Sequence, residues 1–302
     1  MKKLHGVTVP LVTPFDKEGR LDEDSLKRLT EYLIEKGIQC LYPAGTTGEM
    51  MYLTVEERKR IAEIVVKTSG GRAVVYVQTG AWNLEDTITL SRHAAQIGAD
   101  GIGVVTPVFF KLTEEELLGF YKLVSESVPK DLPIYLYGIP QCAVNDITPT
   151  LAEKIAKECP NVIGIKYSYN DMSRIQKFMT LKDGTFSVLC GPDDLFAVTC
   201  LAGGDGTVSG NANVIPEHYE AIWKALQEKK PEEAKRLQQR TNVLNEVLSC
   251  SQNIARYKAA LKNRGIISGD GMRAPLQPLA ADAREKMLAM LEKLNYTTVP
   301  NK

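Results

Sequence analysis

The chain has 302 residues, with Lys plus Arg and Asp plus Glu both at 37 and a formal net charge of zero. That balance, without any long basic or acidic block, excludes nucleic acid and a membrane surface as main partners. No apolar run approaches the length of a bilayer span, and Met1–Gly6 leads straight into a strand-like segment without a signal-peptide core, so a cytoplasmic location is expected.

The first strand expected is Val7–Val12. The second, Gln39–Ala44, follows a helix closed by Gly37 and runs into Gly45-Thr46-Thr47-Gly48-Glu49. Thr54 and Glu57 then have capping-box spacing, ahead of a helix with Ile61, Ile64 and Val65 on one face. The third strand, Ala73–Gln78, is followed by Gly80-Ala81-Trp82, and its helix ends at Gly98. The fourth strand, Gly101–Val105, ends in Thr106-Pro107, and Thr113 with Glu116 repeats the capping box. The fifth, Ile134–Tyr137, continues into Gly138-Ile139-Pro140, and Pro149 after Thr148 suits a first helical turn. The sixth, Val162–Lys166, ends in the lysine. The seventh, Ser187–Cys190, follows Gly184 and precedes Gly191-Pro192-Asp193-Asp194, and the eighth, Gly206–Ser209, leads into Gly210-Asn211-Ala212-Asn213.

Strand and helix alternate roughly every 25 to 35 residues, as βαβ connections require. Eight such units over 1–230 predict a closed (β/α)8 TIM barrel carrying the active site, since no GxGxxG opens the first βα turn; a doubly wound sheet is the alternative. Over 231–302 a C-terminal helical appendage is expected, built from Ala234–Leu248, Gln252–Asn263 and Ala281–Leu294 and packed on the barrel or used in assembly. Arg273–Pro278 is its proline-punctuated connection. Cys40, Cys142, Cys159, Cys190, Cys200 and Cys250 show no CxxC pair and no histidine at metal-ligand spacing, so buried free thiols are expected, without a metal.

Catalytic groups of such a barrel gather where strands end. Lys166 sits at the carboxyl end of a buried strand, where a lysine amine is placed to lose its proton and attack a carbonyl. Taken alone it also suits a solvated strand cap. Tyr137 ends the neighbouring strand at the same level and brings a phenol beside it; packing is the bland reading. Gly45 to Glu49 forms a loop in which N–H groups and hydroxyls can converge on a carboxylate, or an ordinary turn. Lysine, phenol and anion loop on one mouth describe a site that condenses an amine with the carbonyl of a 2-oxo acid.

Gly45-Thr46-Thr47-Gly48-Glu49, Tyr-x-x-Pro at Tyr137 to Pro140, Gly164-Ile165-Lys166 and Gly206-x-x-Ser209 resemble the dihydrodipicolinate synthase and N-acetylneuraminate lyase family of class I aldolases. The resemblance runs from Thr13-Pro14-Phe15 to Arg273-x-Pro275-Leu276. It implies a homotetrameric barrel that needs no cofactor. Lys166 is implied as the Schiff-base residue for pyruvate or a pyruvoyl unit and Tyr137 as the proton shuttle. Thr46 and Thr47 would hold the carboxylate and support the relay, with Gly45 in their loop and the backbone near Val208 facing the 2-oxo acid. A phenol titrating near 10 needs a hydroxyl such as Thr46 to pass protons at neutral pH.

Two positions depart from the synthase pattern. Cys142 stands where that branch carries an arginine for the second substrate's carboxylate, and Phe109 replaces a relay tyrosine. Tyr167, Ser168, Tyr169, Asn170, Asn211 and Asn213 suggest a neutral mouth suited to a hydroxylated aldehyde. Asp193 and Asp194 suit a helix cap or a polar substrate, Glu49 a fixing role for its loop, and Trp82 a pocket wall or packing. The expected function is an aldolase or lyase that cleaves or condenses a 2-oxo acid of the 2-keto-3-deoxy sugar acid or 4-hydroxy-2-oxo acid type. The alternatives are the lysine-pathway synthase and a non-catalytic 2-oxo-acid-binding barrel.

Overall fold

Alternation along each strand decides which side chains fill the barrel and which face the helices. In the computed structural model, which describes residues 1–249 and 253–299, eight parallel strands close on themselves in sequence order. They are β1 (Gly6–Val9), β2 (Cys40–Leu41), β3 (Val74–Gln78), β4 (Gly101–Val105), β5 (Ile134–Gly138), β6 (Val162–Tyr167), β7 (Ser187–Cys190) and β8 (Gly206–Val208). All eight expected strands are present. Several are shorter than their apolar runs, because pairing stops where Pro10 and Pro43 withhold a donor. No described helix is long and apolar enough to cross a membrane.

Cys40 and Tyr42, Tyr135, Leu189 and Val208 point inward with Leu4 and Tyr76, whereas Leu41, Leu136, Ile165 and Tyr167 join the large cluster between strands and helices. Tyr42, Tyr76 and Tyr135 therefore crowd the interior, and glycines on the neighbouring strands make the room. A Cβ at Gly101 would come within 2.3 Å of the Tyr76 ring, and one at Gly103 within 1.7 Å of the Tyr42 hydroxyl. Tyr76 and Tyr135 meet edge to face at 5.2 Å, and Tyr135 donates to Ser187 Oγ at 2.6 Å, closing the lower end.

Both capping boxes form, at Thr54 with Glu57 and at Thr113 with Glu116, and Thr148 caps the helix that begins with Pro149. Beyond β8 come helices Pro216–Gln227, Pro231–Leu248, Asn253–Asn263 and Ala281–Lys293. Gln252 and Cys250 lie outside the described residues. Of the other cysteines, Cys40, Cys159 and Cys190 are buried, Cys200 is half-buried, and Cys142 is exposed at the mouth, contrary to expectation. It sits on the short turn Pro140–Ala143, whose only buried side chain is Ala143.

Candidate active site

Pairing of β5 with β6 puts Tyr137 opposite Lys166, and alternation turns both side chains into the barrel. Lys166 is 4% exposed, and its Nζ lies 3.8 Å from the centroid of the Tyr137 ring and 5.2 Å from that of Tyr42. The Tyr137 hydroxyl is 3.2 Å from Thr46 Oγ1, so lysine, phenol and threonine are contiguous. A cavity of about 470 Å³ opens over them, lined also by Thr47, Ser168, Tyr169, Asn170 and Val208. Among its described lining residues Lys166 is the only cation and Asp193 the only acid.

The loop after β2 is held from several sides. Gly48 is pressed against the segment that follows β1, where a Cβ would come within 3.1 Å of the Leu11 carbonyl, and Thr13 donates to its carbonyl at 2.8 Å. Gly45 is buried, and its carbonyl accepts the N–H groups of Gly48 and Met50. Arg58, 4% exposed on helix Val55–Ser69, donates to the carbonyls of Gln78 and Gly80 at 2.8 and 3.0 Å and to that of Ala44 at 3.5 Å, tying the segments after β2 and β3 together. Burial brings its guanidinium down to about 10. Meanwhile the N–H groups of Thr46 and Thr47 find no acceptor among the described residues, so two donors face the cavity mouth beside two hydroxyls.

Glu49 closes this loop with a left-handed φ of 62°. Its carboxylate pairs with Lys258, both side chains being fully buried, and accepts the Arg273 N–H at 2.9 Å. Lys258 also donates to the Gly271 carbonyl at 2.8 Å and lies over the Phe15 ring. Burial lowers its ammonium to about 8, against the opposing pull of Glu49. The expectation that Glu49 fixes its loop is met, through partners the sequence reading missed. A signal was present: Arg58 stands three, four and seven residues before the buried Ile61, Ala62 and Val65, and Lys258 lies between buried Ala255 and Leu261. A charge on the apolar face of a helix implies a buried partner.

Asn145, completely buried, was also missed. It accepts the Leu112 N–H and donates to the Pro107 and Phe110 carbonyls at 2.8 Å, fixing the loop that holds Phe109 at a φ of 78°. Phe109 is exposed beside exposed Phe110 and Trp82, with ring centroids 5.0 and 5.8 Å away. Trp82 therefore forms part of a surface ring cluster rather than core packing.

Several expected mouth groups are elsewhere. Asn211 and Asn213 are completely buried; Asn211 donates to Asp193 and Ser249, and Asn213 to the Pro10 and Gly210 carbonyls. Tyr167 faces outward against Phe178 and Arg174, as alternation after Lys166 demands. Asp193 caps no helix: it accepts from Tyr219 and Asn211 at 2.7 and 2.8 Å, and burial pushes its carboxyl upward. Ser168, Tyr169 and Asn170 do line the cavity, and Gln141 donates to the Ser168 carbonyl across it at 2.7 Å. Among the described residues no group of three or more His, Cys, Asp or Glu side chains could hold a metal.

Comparison with known proteins accounts for nearly the whole chain. The dihydrodipicolinate synthetase family model matches residues 3–294. An uncharacterized DapA-like lyase of Pyrococcus abyssi is 36% identical over 277 residues, covering 91% of this chain and 92% of the relative. A 4-hydroxy-tetrahydrodipicolinate synthase of Sulfurihydrogenibium sp. is 34% identical over 289 residues, covering 96% and 98%. Among solved structures, E. coli K12 YagE in complex with pyruvate superposes with a TM-score of 0.92 at 31% identity, over 97% of this chain and 99% of that one. A catalytic-lysine mutant of Ruminococcus gnavus sialic acid aldolase gives 0.90 at 29% identity, over 98% and 99%. The chain, a lyase, belongs to the dihydrodipicolinate synthetase family.

Proposed function

We propose that Lys166 forms a Schiff base with pyruvate or the pyruvoyl end of a longer 2-oxo acid, and that the enzyme cleaves or condenses such acids reversibly. The observation that carries this reading is the pairing of Lys166 with Tyr137 in register, with the Tyr137 phenol on the Thr46 hydroxyl. Thr46 and Thr47 hold the substrate carboxylate through the N–H groups and hydroxyls that face the mouth, and the backbone at Val208 flanks the bound acid. The Lys166 amine adds to C2, and the departing ketone oxygen leaves as water. The resulting iminium withdraws electrons from the adjacent carbons. In cleavage, the C4 hydroxyl gives its proton to the Tyr137–Thr46 pair, the C3–C4 bond breaks, and an aldehyde leaves. The remaining enamine takes a proton at C3, and water releases pyruvate from the lysine.

The second substrate is a hydroxylated aldehyde of the 2-keto-3-deoxy sugar acid or 4-hydroxy-2-oxo acid type. Cys142 and Gln141 supply no cation for a second carboxylate. The second reading, condensation of pyruvate with aspartate semialdehyde, is favoured by the synthase relatives at 34% identity. We further propose a homotetramer, since Trp82, Phe109 and Phe110, at 62%, 66% and 71% exposure, form an apolar cluster that assembly would cover. Light scattering tests it. A panel of hydroxylated aldehydes and aspartate semialdehyde, assayed with pyruvate, separates the substrate readings. Preference for aspartate semialdehyde overturns the first.

A further inference from the structure

Tyr42 has no part in the chemistry above, yet it forms the floor of the site. It is completely buried, its ring centroid lies 5.2 Å below Lys166 Nζ, and it meets the Tyr137 ring edge to face at 6.5 Å and 88°. The nitrogen thus sits over two nearly perpendicular ring systems. The Tyr42 hydroxyl has no hydrogen-bond partner among the described residues and occupies the space left by Gly103 on β4. Burial also drives its ionisation well above the ordinary range, so the phenol stays neutral and takes no part as a base. What Tyr42 offers the reacting nitrogen is the electron-rich face of a fully buried ring.

We propose that Tyr42 is a cation-stabilising residue of the reaction, its ring face holding the positive charge that develops on Lys166 Nζ when the Schiff base forms. The inference rests on Lys166 being the Schiff-base residue. In that step Nζ bonds to C2 of the 2-oxo acid, and the ketone oxygen leaves as water. That water carries one proton from the amine and one taken up from solvent, so the nitrogen keeps a single hydrogen and gains a full positive charge. The charge persists until the enamine forms and returns when the product is released. An alkyl side chain of similar volume would fill the same space without attracting it.

The test is borohydride trapping with pyruvate, followed by peptide mapping, across pH for wild type, Tyr42→Phe and Tyr42→Leu. Phenylalanine keeps the ring and is expected to keep the half-saturating pyruvate concentration within about twofold. Leucine is expected to raise it about tenfold and to move the alkaline limit of trapping to lower pH, which loss of packing alone does not do. Phenylalanine analogues with increasing fluorination at position 42 preserve the shape should the leucine variant fail to fold. Trapping is expected to weaken stepwise with fluorination, and a flat series, or phenylalanine as damaging as leucine, overturns the inference. Absence of any wild-type adduct at Lys166 removes the Schiff-base reading itself, and the inference with it.

Discussion

Lys258, on the helix Asn253–Asn263, holds the carboxylate of Glu49 in a pair with no solvent exposure on either side chain, 209 residues apart in sequence. The pair joins the C-terminal helices to the loop that carries Thr46 and Thr47. Removing one partner leaves a buried charge unmatched, so Lys258→Met is expected to cost about 3–5 kcal/mol of stability. The double variant Glu49→Gln with Lys258→Met should recover a substantial part of that loss in urea unfolding. A double variant as unstable as the sum of the single changes contradicts the pairing.

The same pair fixes a pH dependence. Burial lowers the folded-state value of Lys258 to about 8, below its ordinary 10.5, so between these values the unfolded chain holds a proton that the folded protein has released. Stability from this group is therefore present above 10.5 and is lost as pH falls through about 8. Relative to the double variant, wild type should gain stability as pH rises from 7 toward 10. A difference constant over that range counts against it.

Tyr137→Phe removes the hydroxyl hydrogen-bonded to Thr46 Oγ1 while keeping the ring beside Lys166. Its kcat should fall by about 10²–10⁴, with pyruvate still trapped on the lysine. Thr46→Val should lower kcat less. Equal loss of trapping and turnover in Tyr137→Phe would show that the phenol acts before proton transfer.

Cys142 is exposed at the cavity edge and lines a second, apolar lobe of about 400 Å³ that shares Thr46 and Ile139 with the first. Cys142→Arg introduces a cation where the sequence lacks one. It should raise kcat/KM for aspartate semialdehyde and leave uncharged hydroxylated aldehydes unchanged or poorer substrates. Steady-state kinetics on both substrates reads the outcome, and no change in their ratio excludes this position from substrate choice.

The strands were legible because each apolar run ends in turn chemistry, and closure of eight units brings neighbours such as Tyr137 and Lys166 to one level. Alternation also dictated that Tyr167 face outward, a rule that reading the residues after Lys166 as mouth groups ignored. Asn211 and Asn213 were misplaced because an asparagine's sequence neighbourhood does not reveal whether its amide meets solvent or the carbonyls of Pro10 and Gly210. Arg58, Asn145 and Lys258 act through partners on other elements. Only the charges on apolar helix faces announced two of them.

The central claim concerns one covalent bond. Wild type and Lys166→Arg, each incubated with pyruvate and borohydride, should differ in one respect: a reduced pyruvate adduct on the peptide containing residue 166, present in wild type and missing in the variant. An adduct on another lysine, or none under conditions that trap an established Schiff-base aldolase, contradicts the assignment of Lys166.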